Sequence, residues 1–148
     1  MNLKEKLSKL TDMVANSVKF DGANSAKIDF TNAMLKNNNL AIIPFEYQEF
    51  LKETNGLILP PYEFYGTEVF NRTEYNYKFP NIIDVNIPLI KDKNPLIENR
   101  VILGSVFFDI IIFDDMDKKF KIVNRINFEI IEIFENFNQL LEYVNNTI

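Results

Sequence analysis

The sequence predicts an α+β fold, an antiparallel (mixed) β-sheet covered by helices from the N-terminal and C-terminal ends of the chain. Three observations lead there. Apolar residues recur at helical spacing at both ends: Leu3, Leu7, Leu10, Val14 and Val18 at one, Phe137, Leu140, Leu141 and Val144 at the other. Between them Phe107 to Phe113, FFDIIIF, is apolar almost throughout, as a strand covered on both faces requires. An acidic turn, Asp114 to Lys119, follows, and Phe120 and Ile122 then alternate with Lys119 and Lys121 as in a returning strand.

Taken in order, residues 3 to 18 read as one amphipathic helix and Phe20 to Ser25 as a loop punctuated by Gly and Asn. A second short helix spans Asp29 to Asn37. Ile42 to Gly56 carries both helix ends in its sequence. Pro44 suits the first helical position, Glu46 then falls at N3, and Ile42 can staple onto Tyr47. Tyr47, Phe50 and Leu51 share one face, and Gly56 supplies the left-handed C′ residue.

From Leu57 the chain is extended. Pro60-Pro61 forbids helix, and Glu63 to Glu68 reads as a short strand bent at Gly66. Residues 69 to 80 lack periodicity and read as a loop. Asn81 to Ile90 fits helix or strand, and Pro88 keeps it short either way. Asp92 to Asn99 is a loop, Val101 to Ser105 a strand and Asn127 to Phe134 a third β run. Asn136 caps the last helix with Gln139 at N3.

At 148 residues the chain is expected to form one domain, 1–148, with one substantial core. The charged and leucine-containing start MNLKEKLSKL lacks a signal-peptide core, and no apolar run nears the roughly 20 residues of a membrane span. Cytoplasmic location is the expectation. The absence of Cys and His removes thiolate nucleophiles, disulfides and the commonest general base and metal ligand. The four glycines are too scattered for a phosphate loop, a dinucleotide fingerprint or a nucleophile elbow, so no cofactor is expected. A net charge of −5 disfavours nucleic acid, whose phosphates need cations, and suits a basic protein partner.

Two groups of residues are candidates for partner binding. Tyr62, Glu63, Tyr65, Glu68, Tyr75 and Tyr77 mix stiff amphipathic rings with acids, a composition common at protein interfaces. Core filling accounts for such tyrosines equally well. Asp114, Asp115 and Asp117 form the densest acidic cluster, but they lack the Gly and the distal Glu of a calcium loop. A solvated turn is the plainer account, with a share in an acidic surface as the alternative. Glu46, Glu49 and Glu53 read as a helix's solvated side rather than a catalytic carboxylate pair.

The order of these features resembles the SUKH superfamily of bacterial immunity proteins, and within it the YrhA-like members. The carrying residues are Pro44, Tyr47, Gln48, Glu49, Phe50, Leu51, Asn55 and Gly56, then Phe64-Tyr-Gly-Thr-Glu68. Leu103-Gly104, Asp109 to Asp114, and Phe137 with Leu140-Leu141 complete the series. Val106-Phe107-Phe108 departs from it, because many members have a small Gly/Asp-rich turn there. The resemblance implies a SUKH-like fold and a non-enzymatic protein that binds and neutralises a cognate toxin. The alternative is a regulatory scaffold without a toxin partner.

Overall fold

Asn2 opens the first helix by accepting the Glu5 N–H at 2.9 Å, in a computed structural model that describes residues 1–148. This helix, α1 (Leu3–Met13), is shorter than the apolar periodicity implies. At Val14 the backbone turns extended, Asn16 takes φ +63°, and Val18 instead opens β1 (Val18–Lys19). Helix α2 (Ser25–Asn37) begins four residues before the expected Asp29, because Asn24 caps it by accepting the Lys27 N–H at 2.9 Å.

Helix α3 (Phe45–Glu53) buries Tyr47, Phe50 and Leu51 on one face, as their spacing requires. Its ends differ from the expectation. Pro44 is the cap itself, so Glu46 falls at N2 and does not reach back. The Glu46 carboxylate instead accepts the N–H of Phe137, the first residue of the closing helix, from 3.3 Å. A carboxylate there satisfies an orphan donor and meets the positive end of the helix dipole. Ile42 is exposed and staples nothing, while Ile43 is buried. At the other end Thr54 is the cap, and Gly56 lies two residues beyond it at φ +107°.

That terminus is a structural knot. Asn55 Oδ1 accepts the Thr67 N–H at 2.7 Å, and its own N–H donates to the Asp21 carbonyl at 3.0 Å. Thr54 Oγ1 accepts the Phe20 N–H at 2.9 Å. Three separated pieces of chain meet there, with Thr54, Asn55 and Gly56 all buried.

Strands β2 (Leu57–Leu59) and β3 (Tyr62–Phe64) flank the Pro60-Pro61 turn, so the strand expected at 63–68 ends early. Residues 69 to 80 form a hairpin rather than a loop. β4 (Phe70–Arg72) pairs with β5 (Tyr77–Phe79) across a 3-10 turn at Thr73–Tyr75. Asn81 decides the next segment for helix by accepting the Asp84 N–H at 2.7 Å, giving α4 (Ile82–Lys91). Pro88 sits inside α4 at an exposed position; the carbonyl it leaves unbonded belongs to exposed Asp84, where water can serve it.

An antiparallel meander follows: β6 (Arg100–Val106), β7 (Asp109–Asp114), β8 (Lys119–Asn124) and β9 (Ile130–Phe134), then α5 (Phe137–Thr147). The main sheet has seven strands in the order β1-β2-β3-β6-β7-β8-β9, every ladder antiparallel. Ile110, Ile111 and Ile112 are buried at its centre, as the apolar run predicts. Phe107 and Phe108 are not part of that strand. They form the two-residue turn between β6 and β7 and lie in solvent.

Helices flank the sheet. On one face Phe50 of α3 and Phe137 of α5 meet Phe64 and Phe120 of the strands, with ring centroids 5.2–6.2 Å apart. The other face holds Glu63, Ser105 and Ile112, and α4 binds there through Asn86. The Asn86 amide accepts the Ile102 N–H at 2.7 Å and donates to the Ile102 carbonyl at 2.9 Å. The ladder slips between Ile102 and Gly104, and the buried amide serves as a substitute strand beside that bulge. In all, 38 buried apolar residues form one core.

Candidate functional site

The two groups of expected contact residues lie at opposite ends of the sheet. Glu63 pairs with Ser105 near one end of β6, and Asp114 with Arg100 at the other. Five residues of strand separate Arg100 from Ser105, about 17 Å at roughly 3.3 Å per residue. No single face presents both.

Within the first group, burial removes Tyr62 and Tyr65 from any surface. Tyr62 stacks over Phe64 at 6.4 Å and shares a hydroxyl bond with Thr147 of α5. Tyr65 packs on Phe79 at 5.7 Å, and its carbonyl accepts the buried Tyr47 hydroxyl at 2.6 Å. Burial pushes the phenols of Tyr47, Tyr62 and Tyr65 up, so all three stay neutral. Glu63 is half-buried between the Tyr77 hydroxyl at 2.7 Å and Ser105 Oγ at 3.4 Å. Burial, then the Glu63 carboxylate, raises the Tyr77 phenol far above its ordinary range. Glu68 is paired with Lys27 of α2. Tyr75 alone projects freely, with the Arg72 guanidinium 4.7 Å from its ring centre.

The aspartates hold the strand ends together. Asp114 is buried and accepts from Arg100 Nε at 3.1 Å, Lys121 Nζ at 3.1 Å and the Met116 N–H at 3.0 Å. Burial alone would raise its carboxyl, but these donors hold it below the usual range. Lys121, expected on the solvent side of its strand, is buried instead. Burial opposes its charge, yet Asp117 at 2.6 Å and Asp114 raise its ammonium. Asp115 pairs with exposed Lys118. Asp114 is therefore a clamp inside the fold rather than part of an acidic surface.

At the Glu63 end of the sheet, sequence reasoning overlooked the strand-end turns. The register places the turns at 60–61 and 107–108 and the loop after Asn124 side by side. There Phe107 is 77%, Phe108 88% and Ile126 84% exposed. Arg125 Nε donates to the Phe108 carbonyl at 3.2 Å, tying loop to turn. Asn124 Oδ1 accepts the Ile126 N–H at 2.8 Å and fixes the loop. Phe107 adopts φ +52°, a conformation that two-residue hairpins normally give to Asn, Asp or Gly. The signal was present in the sequence: two phenylalanines precede the Asp that opens the strand. The length of the apolar run concealed the turn.

A cavity of about 310 Å³ between α1 and α5, lined in part by Lys6, Lys9 and Asn138, lies elsewhere. No group of three acidic side chains is placed to hold a metal ion, and no helix is long and apolar enough to cross a membrane. The fold is thus an α+β sheet-and-helix scaffold whose most conspicuous surface feature is an apolar strand-end rim. Comparison with protein-family models and with curated proteins gave no match.

Proposed function

We propose that the protein is a non-enzymatic, SUKH-like immunity protein of the cytoplasm that neutralises a cognate toxin by binding it directly. The observation that supports the reading best is the Phe107-Phe108 turn. A non-glycine residue at positive φ costs about 1–2 kcal/mol, and two large rings left in water add nothing to the fold. With positive φ at the first turn residue alone, a Gly-Asn turn would be more stable, so the aromatic pair serves something outside the chain. Exposed aromatic residues on a rigid mount suit the buried anchor of a protein interface. The net charge of −5 favours a basic partner, such as a toxin that itself binds nucleic acid.

The double substitution Phe107→Gly, Phe108→Asn separates fold from function. It should leave stability equal or raise it by about 1 kcal/mol, because the new pair suits the turn. Co-expressed with the toxin candidate encoded beside it, the wild type should rescue growth and co-purify with the toxin, and the variant should do neither. Rescue by the variant at wild-type level, or rescue without a complex, would overturn the reading.

A further inference from the structure

The two edges of the sheet are built differently. β1 is two residues long and carries exposed Lys19, both features that keep an edge from pairing with another chain. β9 runs for five residues, IIEIF, with neither Lys nor Pro. Ile130, Ile131 and Ile133 are about half exposed, each between 48% and 50%. The strand's guards are a single bulge, where Ile131 has no partner across β8, and the charge of Glu132. A strand of this kind presents a row of unpaired N–H and C=O groups.

Charge decides what can occupy it. Residues 126–148 contain Glu129, Glu132, Glu135 and Glu142 and neither Lys nor Arg, which accounts for −4 of the net −5. Glu135 is paired with Lys119 at 3.2 Å, but Glu129 and Glu132 make no ion pair. A second copy of the chain would set these same three glutamates against each other, and closely facing like charges are destabilising. An extended segment bearing Lys or Arg between apolar residues would meet both the glutamates and the isoleucines.

We propose that the outer edge of β9 takes up such a basic extended segment of a partner protein as an eighth strand of the sheet. Main-chain bonds would supply affinity, and alternating side chains would supply selectivity. The added strand would lead directly onto Ile126 and the Phe107-Phe108 rim, which Arg125 joins to that loop. The inference rests on the reading of the protein as a binding module and names how its partner is held.

The test titrates isotope-labelled full-length protein with a capped peptide of about nine alternating Lys and Val residues, at low salt, following amide hydrogen exchange. The expected result is new protection of outward amides in β9 and binding that weakens as salt rises. Ile131→Lys should weaken binding about tenfold or more, since an edge Lys blocks pairing and repels the probe. Glu129→Gln with Glu132→Gln should reduce the salt dependence while leaving β9 as the site. Circular dichroism confirms that each variant folds.

Equal binding of a Glu-Val peptide, protection confined to other strands, or absence of binding would overturn the inference. So would ultracentrifugation showing a dimer through β9. The two readings fail separately. A protective toxin complex in which β9 amides remain open sinks the eighth strand alone. Strand addition by the peptide with neither toxin binding nor rescue sinks the immunity function alone.

Discussion

Asp114→Ala removes the shared acceptor of Arg100, Lys121 and the Met116 N–H. Removing one member of a buried ion pair costs about 3–5 kcal/mol, because the other charge is stranded. Two details place this case at the low end. Arg100 is partly exposed and retains the Leu96 carbonyl at 2.7 Å, and Lys121 retains Asp117. The expected loss is therefore about 3 kcal/mol, or a fall of roughly 1.5 M in the urea midpoint at an m-value near 2 kcal/mol/M. With no Trp in the chain, tyrosine fluorescence or far-ultraviolet circular dichroism would follow unfolding. Asp115→Ala, which breaks only an exposed pair with Lys118, should stay within about 0.5 kcal/mol. The pH dependence has a definite sign. Asp114 titrates lower in the folded state than in the unfolded one. Its contribution is complete above the unfolded value near 3.9 and is lost as pH falls through the lower folded value. The gap between wild type and variant should be flat from pH 7 to about 5 and should close in stronger acid. A gap under about 1 kcal/mol at neutral pH, or one that widens on acidification, would refute the clamp.

Further substitutions test the other joints. Gly56→Val should cost at least about 2 kcal/mol, since a β-branched residue at φ +107° is strained and its Cβ would lie 2.9 Å from Phe79 Cε2; an unchanged denaturation midpoint would contradict it. Asn86→Leu should cost about 2–3 kcal/mol by leaving the Ile102 N–H and carbonyl unpaired beside the bulge, and faster exchange of the Ile102 amide would localise the effect. Glu63→Lys should destabilise by about 1–2 kcal/mol through loss of the Tyr77 and Ser105 bonds, whereas Glu68→Lys should stay within about 0.5 kcal/mol; equal midpoints for the two variants would show that Glu63 is not anchored.

What the sequence made legible follows from how local each determinant is. The buried faces of α3 and α5 were readable because residues three and four apart must share a helix face. The antiparallel meander was readable because an apolar run, an acidic turn and an alternating run have few other arrangements. The boundaries were less so. Asn24, Asn81 and Asn136 each cap a helix, but Asn is equally at home in turns, so its type alone does not set a start. The hairpin at 70–79 was illegible because its strands are short and its apolar packing is onto a distant residue rather than within a local pattern: Phe70 stacks on the Phe20 ring at 4.1 Å. The candidate contacts were misjudged for a similar reason. Whether Tyr62 or Asp114 is a surface group depends on what packs over it once the strands and helices have assembled, Thr147 of the last helix in one case and Arg100 and Lys121 of the flanking strands in the other.

The surface that emerged carries its signal as conflict between levels rather than as a motif. Most of the chain agrees with itself, although Lys93, Lys118 and buried Phe128 also take positive φ: caps fall on Asn, helix faces are apolar, and no buried side-chain polar atom lacks a partner. At the Phe107-Phe108 turn the residue type contradicts both the backbone conformation and the solvent exposure. At β9 an isoleucine-rich strand occupies an edge that calls for Lys or Pro. One such breach could be absorbed by an otherwise stable fold. Two on adjoining surfaces, linked by the Arg125 to Phe108 bond, weigh more, because each alone lowers stability or invites aggregation without any return inside the molecule. A partner that covers both would turn the strained turn and the open edge into buried, hydrogen-bonded structure.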